Sequence, residues 1–227
     1  MGKVGSQSVK FSLEDNGLKA EHIHWLGSNE PKAEFPTPNK DVFHNIKNGQ
    51  VKYKVIVLVR NAMARNLSAF FQRIRRWSSR RPENMTSMEI QKDFIDRYDI
   101  KYADKWFDEE LHKFFKFNVY KNTFPHKKGY KIYDCNGHKI LIIRLEDTKE
   151  KLKEAIKELT GVDGVLMSNK GVYEKRNVGQ DFIQKYKEIK KMDFPLSFIE
   201  KNYNLKYSNY FYTKKEIENF KKEWSYV

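Results

Sequence analysis

Apolar and polar residues alternate along the chain with two periods, one typical of β-strands and the other of α-helices. The run Val55 to Val59 is continuously apolar, which predicts that residues 51–59 form a central strand buried on both faces. Two further apolar stretches, 130–135 and 138–144, flank Asn136-Gly137, a dipeptide that strongly favours a tight β-hairpin turn. The pattern therefore predicts a sheet that contains these three strands.

Residues 20–26 resemble a fourth strand in their alternation. The two-residue period of a strand would place His22 and His24 on one face of it. Because the predicted strands are interspersed with helical patterns along the chain, the fold class is predicted to be α/β.

Helices are indicated by their start and stop signals as well as by their apolar stripes. A first helix follows the mostly small and polar residues 2–8 and ends near Asn16-Gly17. Thr213 and Glu216 form a capping box, which predicts the start of the last helix. Apolar residues at intervals of three and four predict four more helices, over 63–77, 87–98, 103–116 and 152–159.

Length and charge narrow the class of protein. A chain of 227 residues fits a single domain, 1–227, whose C-terminal part from about 178 is helical. Forty-four Lys and Arg against 30 Asp and Glu give a net charge of +14, which predicts an anionic partner. The single cysteine, Cys135, and the lack of any apolar run near the roughly 18 residues of a membrane helix favour a cytoplasmic protein without a membrane span.

The N-terminus holds a candidate phosphate-binding loop. Gly5 permits a close backbone approach, and Ser6, Gln7 and Ser8 lead into the first helix, whose N–H groups and dipole favour anions. Lys3 adds a full positive charge beside them. The alternative is that this stretch is only a loose chain end.

A second candidate anion site follows the strand 51–59. Arg60 comes directly after the strand, and Ser68 lies eight positions later in the next helix. Open α/β sheets bind ligands at the carboxyl ends of their strands, where an arginine offers a planar fork to phosphate oxygens. Taken alone, the pair is more typical of a capping or ion-paired arginine and a serine that happens to face the sheet.

Together these segments resemble the two phosphate-binding segments of sulfotransferases that use 3′-phosphoadenosine-5′-phosphosulfate (PAPS). The similar residues are Lys3 to Ser8, the strand-Arg-x7-Ser-helix pattern at 60–68, and Leu-Ile-Ile-Arg-Leu-Glu-Asp at 141–147. The resemblance implies a three-layer P-loop-like sulfotransferase fold with a central parallel sheet. In that fold a buried strand precedes the phosphate loop, so we expect a sheet that lacks its first strand, or a start upstream of Met1.

The C-terminal region is similar to a bacterial subgroup described as putative capsular polysaccharide synthesis proteins. The similar blocks run from Asn177 to Tyr186 and from Tyr210 to Trp224, while Gln180 to Gln184 replace the subgroup's Asn-Lys-Trp-Tyr-Ser string. This resemblance implies an acceptor hydroxyl on a capsular polysaccharide or another carbohydrate.

The resemblance also implies a role for each site residue. Lys3 would stabilise the leaving group, Gly5, Ser6, Gln7 and Ser8 would hold the 5′-phosphosulfate of PAPS, and Arg60 and Ser68 would bind its 3′-phosphate. No metal is required by this scheme.

The acceptor hydroxyl needs a general base, for which histidine has a suitable pKa range. His24 and His22 are the candidates, with His24 nearer the carboxyl end of the predicted strand and His126 as an alternative in a loop. The other interpretation of the two N-terminal histidines is a strand face packed under a helix.

Other functions remain open at this point. A nucleic-acid-binding protein is suggested by the arginines between 73 and 81 and by the many aromatic residues, but no nucleic-acid-binding motif is present, so this partner is disfavoured. A P-loop kinase or NTPase would require a Walker A sequence, which the chain lacks. A catalytically degenerate sulfotransferase-like protein would share all the motifs described.

Overall fold

A computed structural model describes residues 4–23, 44–46, 48–49, 51–167 and 180–225. Three strands are described: β1 (Lys54–Val59), β2 (Tyr130–Cys135) and β3 (His138–Arg144). The helices before β2 are α1 (Ser6–Glu14), α2 (Ala62–Gln72), α3 (Ile74–Trp77), α4 (Ser87–Arg97), α5 (Tyr102–Trp106) and α6 (Lys113–Phe115), the last two joined by a π-helical segment, Phe107–His112. Those after β3 are α7 (Thr148–Thr160), α8 (Gln180–Ile189), α9 (Leu196–Tyr203), α10 (Lys206–Phe211) and α11 (Lys214–Lys222).

The chain divides into two compact units. Unit 1 comprises residues 1–60 and 103–171, and unit 2 comprises 61–102 and 172–227. All three described strands belong to unit 1, together with α1 and α7. The described part of unit 2 contains α2 to α4 and α8 to α11. The assignment of 1–227 to a single domain stays a prediction.

The sheet of unit 1 has the order β1-β3-β2. β1 is parallel to β3, with Val59 opposite Arg144, and β2 is antiparallel to β3. The predicted β2–β3 hairpin is confirmed, because Asn136 (φ +51°) and Gly137 (φ +80°) both adopt the left-handed backbone that a two-residue hairpin turn requires. The α/β class is thus present as a small mixed sheet with many helices.

Three strand predictions need correction. Because the hairpin makes β2 antiparallel, the described sheet is mixed and not the parallel sheet that the resemblance implied. The central strand of the described sheet is β3, whose residues 140–144 are all buried. In contrast, β1 is an edge strand of this sheet and is buried only from Val57 onwards. Ala20 to Ile23 have no regular secondary structure, so the predicted strand over 20–26 is wrong there, and its remainder lies outside the described residues.

Helix α7 packs on the hairpin through a buried phenol. The Tyr130 hydroxyl lies 2.9 Å from Oε1 of Glu154 and 2.9 Å from Oε2 of Glu158, one turn apart on α7. Burial and these two carboxylates raise the pKa of Tyr130 well above its ordinary value, so the hydroxyl stays protonated and remains a donor. The predicted end of α7 is confirmed, since Gly161 closes it at φ +84°.

The described part of unit 2 has an aromatic core centred on Phe94 of α4. Its ring lies 5.3 Å from those of Phe70 and Phe198 and 6.0 Å from that of Phe194, measured between centroids. The capping boxes at Thr86 and Thr213 start α4 and α11, the second as predicted. The single helix expected over 63–77 is instead two, because the backbone of Arg73 (φ −129°, ψ 32°) leaves the helical region.

Buried amides and hydroxyls join α2 to α9 within unit 2. Asn66 donates from Nδ2 to Oδ1 of Asn202 at 2.7 Å, and both residues are fully buried. The Tyr203 hydroxyl donates to Oδ1 of Asn61 at 2.8 Å, and the same oxygen caps α2 by accepting from the N–H of Ala64. These bonds fix the start of α2, the helix that carries Ser68.

None of the helices in the described ranges combines the length and the apolar character needed to cross a bilayer. Within the same ranges, no three His, Cys, Asp or Glu side chains are grouped as they would be around a metal ion.

Candidate functional site

The candidate phosphate-binding loop is built around the start of α1. Gly5 is the N-cap and adopts a left-handed backbone (φ +80°, ψ 10°), and Ser6, Gln7 and Ser8 form the first turn of the nine-residue helix. The first N–H groups of a helix point toward its N-terminal end. The first turn contains no acidic side chain that would compete with an anion there.

Gly5 also lies in close contact with the segment that follows β3. A Cβ atom at this position would be 2.6 Å from Cδ1 of Leu145 and 3.4 Å from Cε of Met167. Leu145 directly follows Arg144, the last residue of β3. The start of α1 therefore lies at the carboxyl end of β3, where open α/β sheets commonly bind ligands.

Ser6 and His22 form a hydrogen-bonded pair in this loop. Ser6 Oγ lies 2.7 Å from His22 Nε2, and both side chains are half-buried. Gly17 (φ +76°) ends α1 as predicted and reverses the chain, so that the following segment brings His22 back to the start of the helix. The arrangement unites a phosphate-binding candidate with a base candidate.

Arg60 lies at the same end of the sheet as the Gly5–Leu145 contact, within unit 1. It follows Val59, which is opposite Arg144 in the parallel register of β1 and β3. The carboxyl ends of β1 and β3 therefore lie side by side at one end of the sheet. The Gly5–Leu145 contact is at that end too. Arg60 is half-buried.

Arg144 has an internal structural role. It is 5% exposed, forms an ion pair with Asp147, and donates from Nη2 to the carbonyl oxygen of His126 at 2.9 Å. Gly129 leaves room for this pair, because a Cβ there would be only 2.3 Å from Oδ2 of Asp147. The block 141–147 thus holds the loop that contains His126 against the end of β3.

The remaining predicted site residues are placed as follows. Ser68 is 7% exposed in α2 of unit 2. The His126 ring lies 5.9 Å from that of Phe124, between centroids. Lys3 and His24 lie outside the described residues.

Sequence reasoning missed two features of the site. Leu145 packs on Gly5, and nothing in the sequence pairs two residues 140 positions apart. The direct Ser6–His22 hydrogen bond was also not foreseen. The turn signal Asn16-Gly17 between them could have indicated it, because a reversal after a nine-residue helix returns the chain to the helix start.

The arginines between 73 and 81 include two that form surface ion pairs. Arg75 pairs with Glu83, and Arg80 pairs with Glu89. These carboxylates offset part of the positive charge that suggested a nucleic-acid partner.

Comparison with known families gives one match. The family model for putative capsular polysaccharide synthesis proteins matches residues 83–215, more than half of the chain, and the chain belongs to this family. The description of the family is consistent with a carbohydrate-related role. No curated protein and no solved structure shows a significant match.

The matched segment covers part of the site. It includes β2, β3 and the Leu145 contact of Gly5. It begins after Ser6, His22, Arg60 and Ser68 in the sequence. Family membership therefore supports the link to capsular polysaccharide synthesis. The geometry of unit 1 bears on the assignment of Ser6, His22 and Arg60, whereas Ser68 lies in unit 2.

Proposed function

We propose that this protein transfers the sulfuryl group of PAPS to a hydroxyl of a carbohydrate acceptor. The proposal rests on the arrangement at the start of α1, where Gly5 packs on Leu145 and Ser6 is hydrogen-bonded to His22. We call this arrangement the cradle. The link of the family to capsular polysaccharide synthesis supports a carbohydrate as the acceptor.

The residues of the cradle suit a phosphosulfate group. The N–H groups of Ser6, Gln7 and Ser8 at the helix start, together with the Ser6 hydroxyl, are suitable donors to an anion. Lys3, two residues before Gly5, would add the charge that stabilises the leaving phosphate. Arg60, at the same end of the sheet, would bind the 3′-phosphate, and the contribution of Ser68 stays a prediction.

The reaction forms a bond between the acceptor oxygen and sulfur and breaks the bond between sulfur and the bridging oxygen, leaving a sulfate ester and adenosine 3′,5′-bisphosphate. His22 would accept the proton of the acceptor hydroxyl at Nε2. In the structure that nitrogen is hydrogen-bonded to Ser6 Oγ. If Ser6 donates instead to an anion bound in the cradle, Nε2 would become accessible to the acceptor hydroxyl.

Substitution of Gly5 tests the cradle. Gly5→Ala should destabilise the protein by about 1–2 kcal/mol because alanine is strained at φ +80°. It should also weaken the binding of adenosine 3′,5′-bisphosphate, since the added methyl group meets Leu145 at the helix start. Calorimetric titration and thermal unfolding measure the two effects.

Gly17→Ala is the matched control, at the other end of the same helix. Gly17 has nearly the same φ, +76°, but a Cβ there meets nothing within 4 Å. The Gly17→Ala variant should lose a similar amount of stability and should bind adenosine 3′,5′-bisphosphate as tightly as the wild type does. Equal affinities for the bisphosphate in the two variants would contradict the cradle.

A further inference from the structure

A cavity of about 600 Å³ lies in unit 1 beside the Ser6–His22 pair. Both of these residues line it, as do α1, the segment 18–23, β1 and the helical run from Trp106 to Phe115. Its volume is within the range of about 300–1,000 Å³ that is typical of small-molecule sites. The cavity therefore has room for a ligand that also reaches His22.

The walls of the cavity are mainly apolar. The buried lining residues include six bulky ones, each either aliphatic or aromatic: Val9, Leu13, Trp106, Leu111, Phe115 and Leu159. Leu18 and Ile56 are only half-buried, so part of their apolar surface faces the open space. Four lining residues are charged: Lys19, Glu21 and Lys54 are exposed to solvent, and Lys10 is half-buried.

Two local features occur at the lining of the cavity. The π-helical segment Phe107–His112 interrupts the α-helical run between Trp106 and Phe115. Such segments are rare in proteins, and those that occur are often found at functional sites. Tyr53, which also lines the cavity, donates its N–H to Nδ1 of His138 at 3.1 Å. Burial and the nearby Lys52 lower the pKa of His138, which keeps that nitrogen available as an acceptor.

We infer that this cavity binds the apolar aglycone of a glycoside acceptor, with the sugar hydroxyl at His22. A free saccharide would leave apolar walls of this extent in contact with water, whereas an alkyl group buries them. The inference rests on the proposed function for the role of the ligand as acceptor. The apolar site itself is defined by the cavity alone.

Titration with two glucosides tests the inference. Octyl β-D-glucopyranoside, kept below its critical micelle concentration, should bind at least about tenfold more tightly than methyl β-D-glucopyranoside, because each buried methylene adds favourable transfer free energy. Equal affinities, or no binding of the octyl glucoside, would overturn the inference. Calorimetry measures both.

Two matched variants locate the binding. Leu18→Asp places a carboxylate in the cavity wall and should remove the tenfold advantage of the octyl glucoside, whereas Leu166→Asp, at a leucine 66% exposed and outside the lining, should retain it. If Leu18→Asp binds the octyl glucoside as tightly as the wild type does, the inference is overturned. If that variant does not fold, Ala20→Trp, which fills the cavity from another wall residue, decides in the same way.

A parallel titration with adenosine 3′,5′-bisphosphate separates this inference from the proposed function. Binding of the octyl glucoside without binding of the bisphosphate would contradict sulfuryl transfer and leave the apolar site standing. The reverse pattern would contradict the apolar site alone.

Discussion

Replacing His22 with glutamine is expected to lower the rate of sulfuryl transfer by about 10²–10⁴-fold, the usual contribution of a general base. The glutamine amide reaches as far as Nε2 of His22, which lies 2.7 Å from Ser6 Oγ, so it can still hydrogen-bond to Ser6 and the helix start should keep its geometry. The affinity for adenosine 3′,5′-bisphosphate should therefore stay unchanged. Formation of the bisphosphate from PAPS, with methyl and octyl glucosides as acceptors, measures the rate.

His126→Asn and His24→Asn are the controls for this assignment. The His126 ring packs by Phe124, and its carbonyl oxygen, which accepts from Arg144, is kept in the variant. His126→Asn should retain the wild-type rate. If His126→Asn or His24→Asn loses activity while His22→Gln keeps the wild-type rate, the base is the residue whose replacement abolishes activity.

Arg60→Ala should weaken the binding of adenosine 3′,5′-bisphosphate by about 10–100-fold, because a charge-assisted hydrogen bond to phosphate is lost. Arg60 follows β1 at the end of the sheet where α1 begins, so its charge is close to the cradle within unit 1. The affinity for AMP, which lacks the 3′-phosphate, should change much less. Titration of each nucleotide against wild type and variant gives both numbers.

Two further variants test whether the effect is specific. Arg60→Lys keeps the charge but not the planar fork, so its affinity should lie between those of the wild type and Arg60→Ala. Arg81→Ala removes an exposed arginine and the same unit of net charge, and should bind the bisphosphate as the wild type does. If Arg60→Ala and Arg81→Ala lose affinity equally, the 3′-phosphate assignment is wrong.

Local signals predicted most of the secondary structure. The hairpin around Asn136-Gly137 was predicted to the residue, because two consecutive left-handed residues leave the chain few alternatives. The capping box at Thr213 and the stop at Gly161 were correct for the same kind of reason.

Features that depend on long-range pairing were predicted less well. Two apolar runs, 55–59 and 140–143, look alike in the sequence, and only the pairing of both neighbours with β3 makes β3 the central strand. Ala20 to Ile23 alternate as a strand does, but they lie along a cavity and not in a sheet. The break at Arg73 likewise has no signal in the apolar stripe, which continues to Ile74.

The residues of the candidate site were proposed one by one from the sequence, and their assignment stays a prediction. Glycine at position 5 indicated a special backbone, and the left-handed φ agrees with that interpretation. The contact with Leu145 and the bond from Ser6 to His22 depend on how distant segments pack, which periodicity does not encode. The cavity was not foreseen either, because its walls come from six separate segments of the chain.

The central claim is that the start of α1 and Arg60 hold a nucleotide with phosphates at both ends of its ribose. Calorimetric titration of the wild-type protein with adenosine 3′,5′-bisphosphate and with AMP tests it most directly. The account predicts that the bisphosphate binds at least about tenfold more tightly, since Arg60 contacts only its 3′-phosphate. Equal affinities for the two nucleotides, or no binding of the bisphosphate, would contradict it.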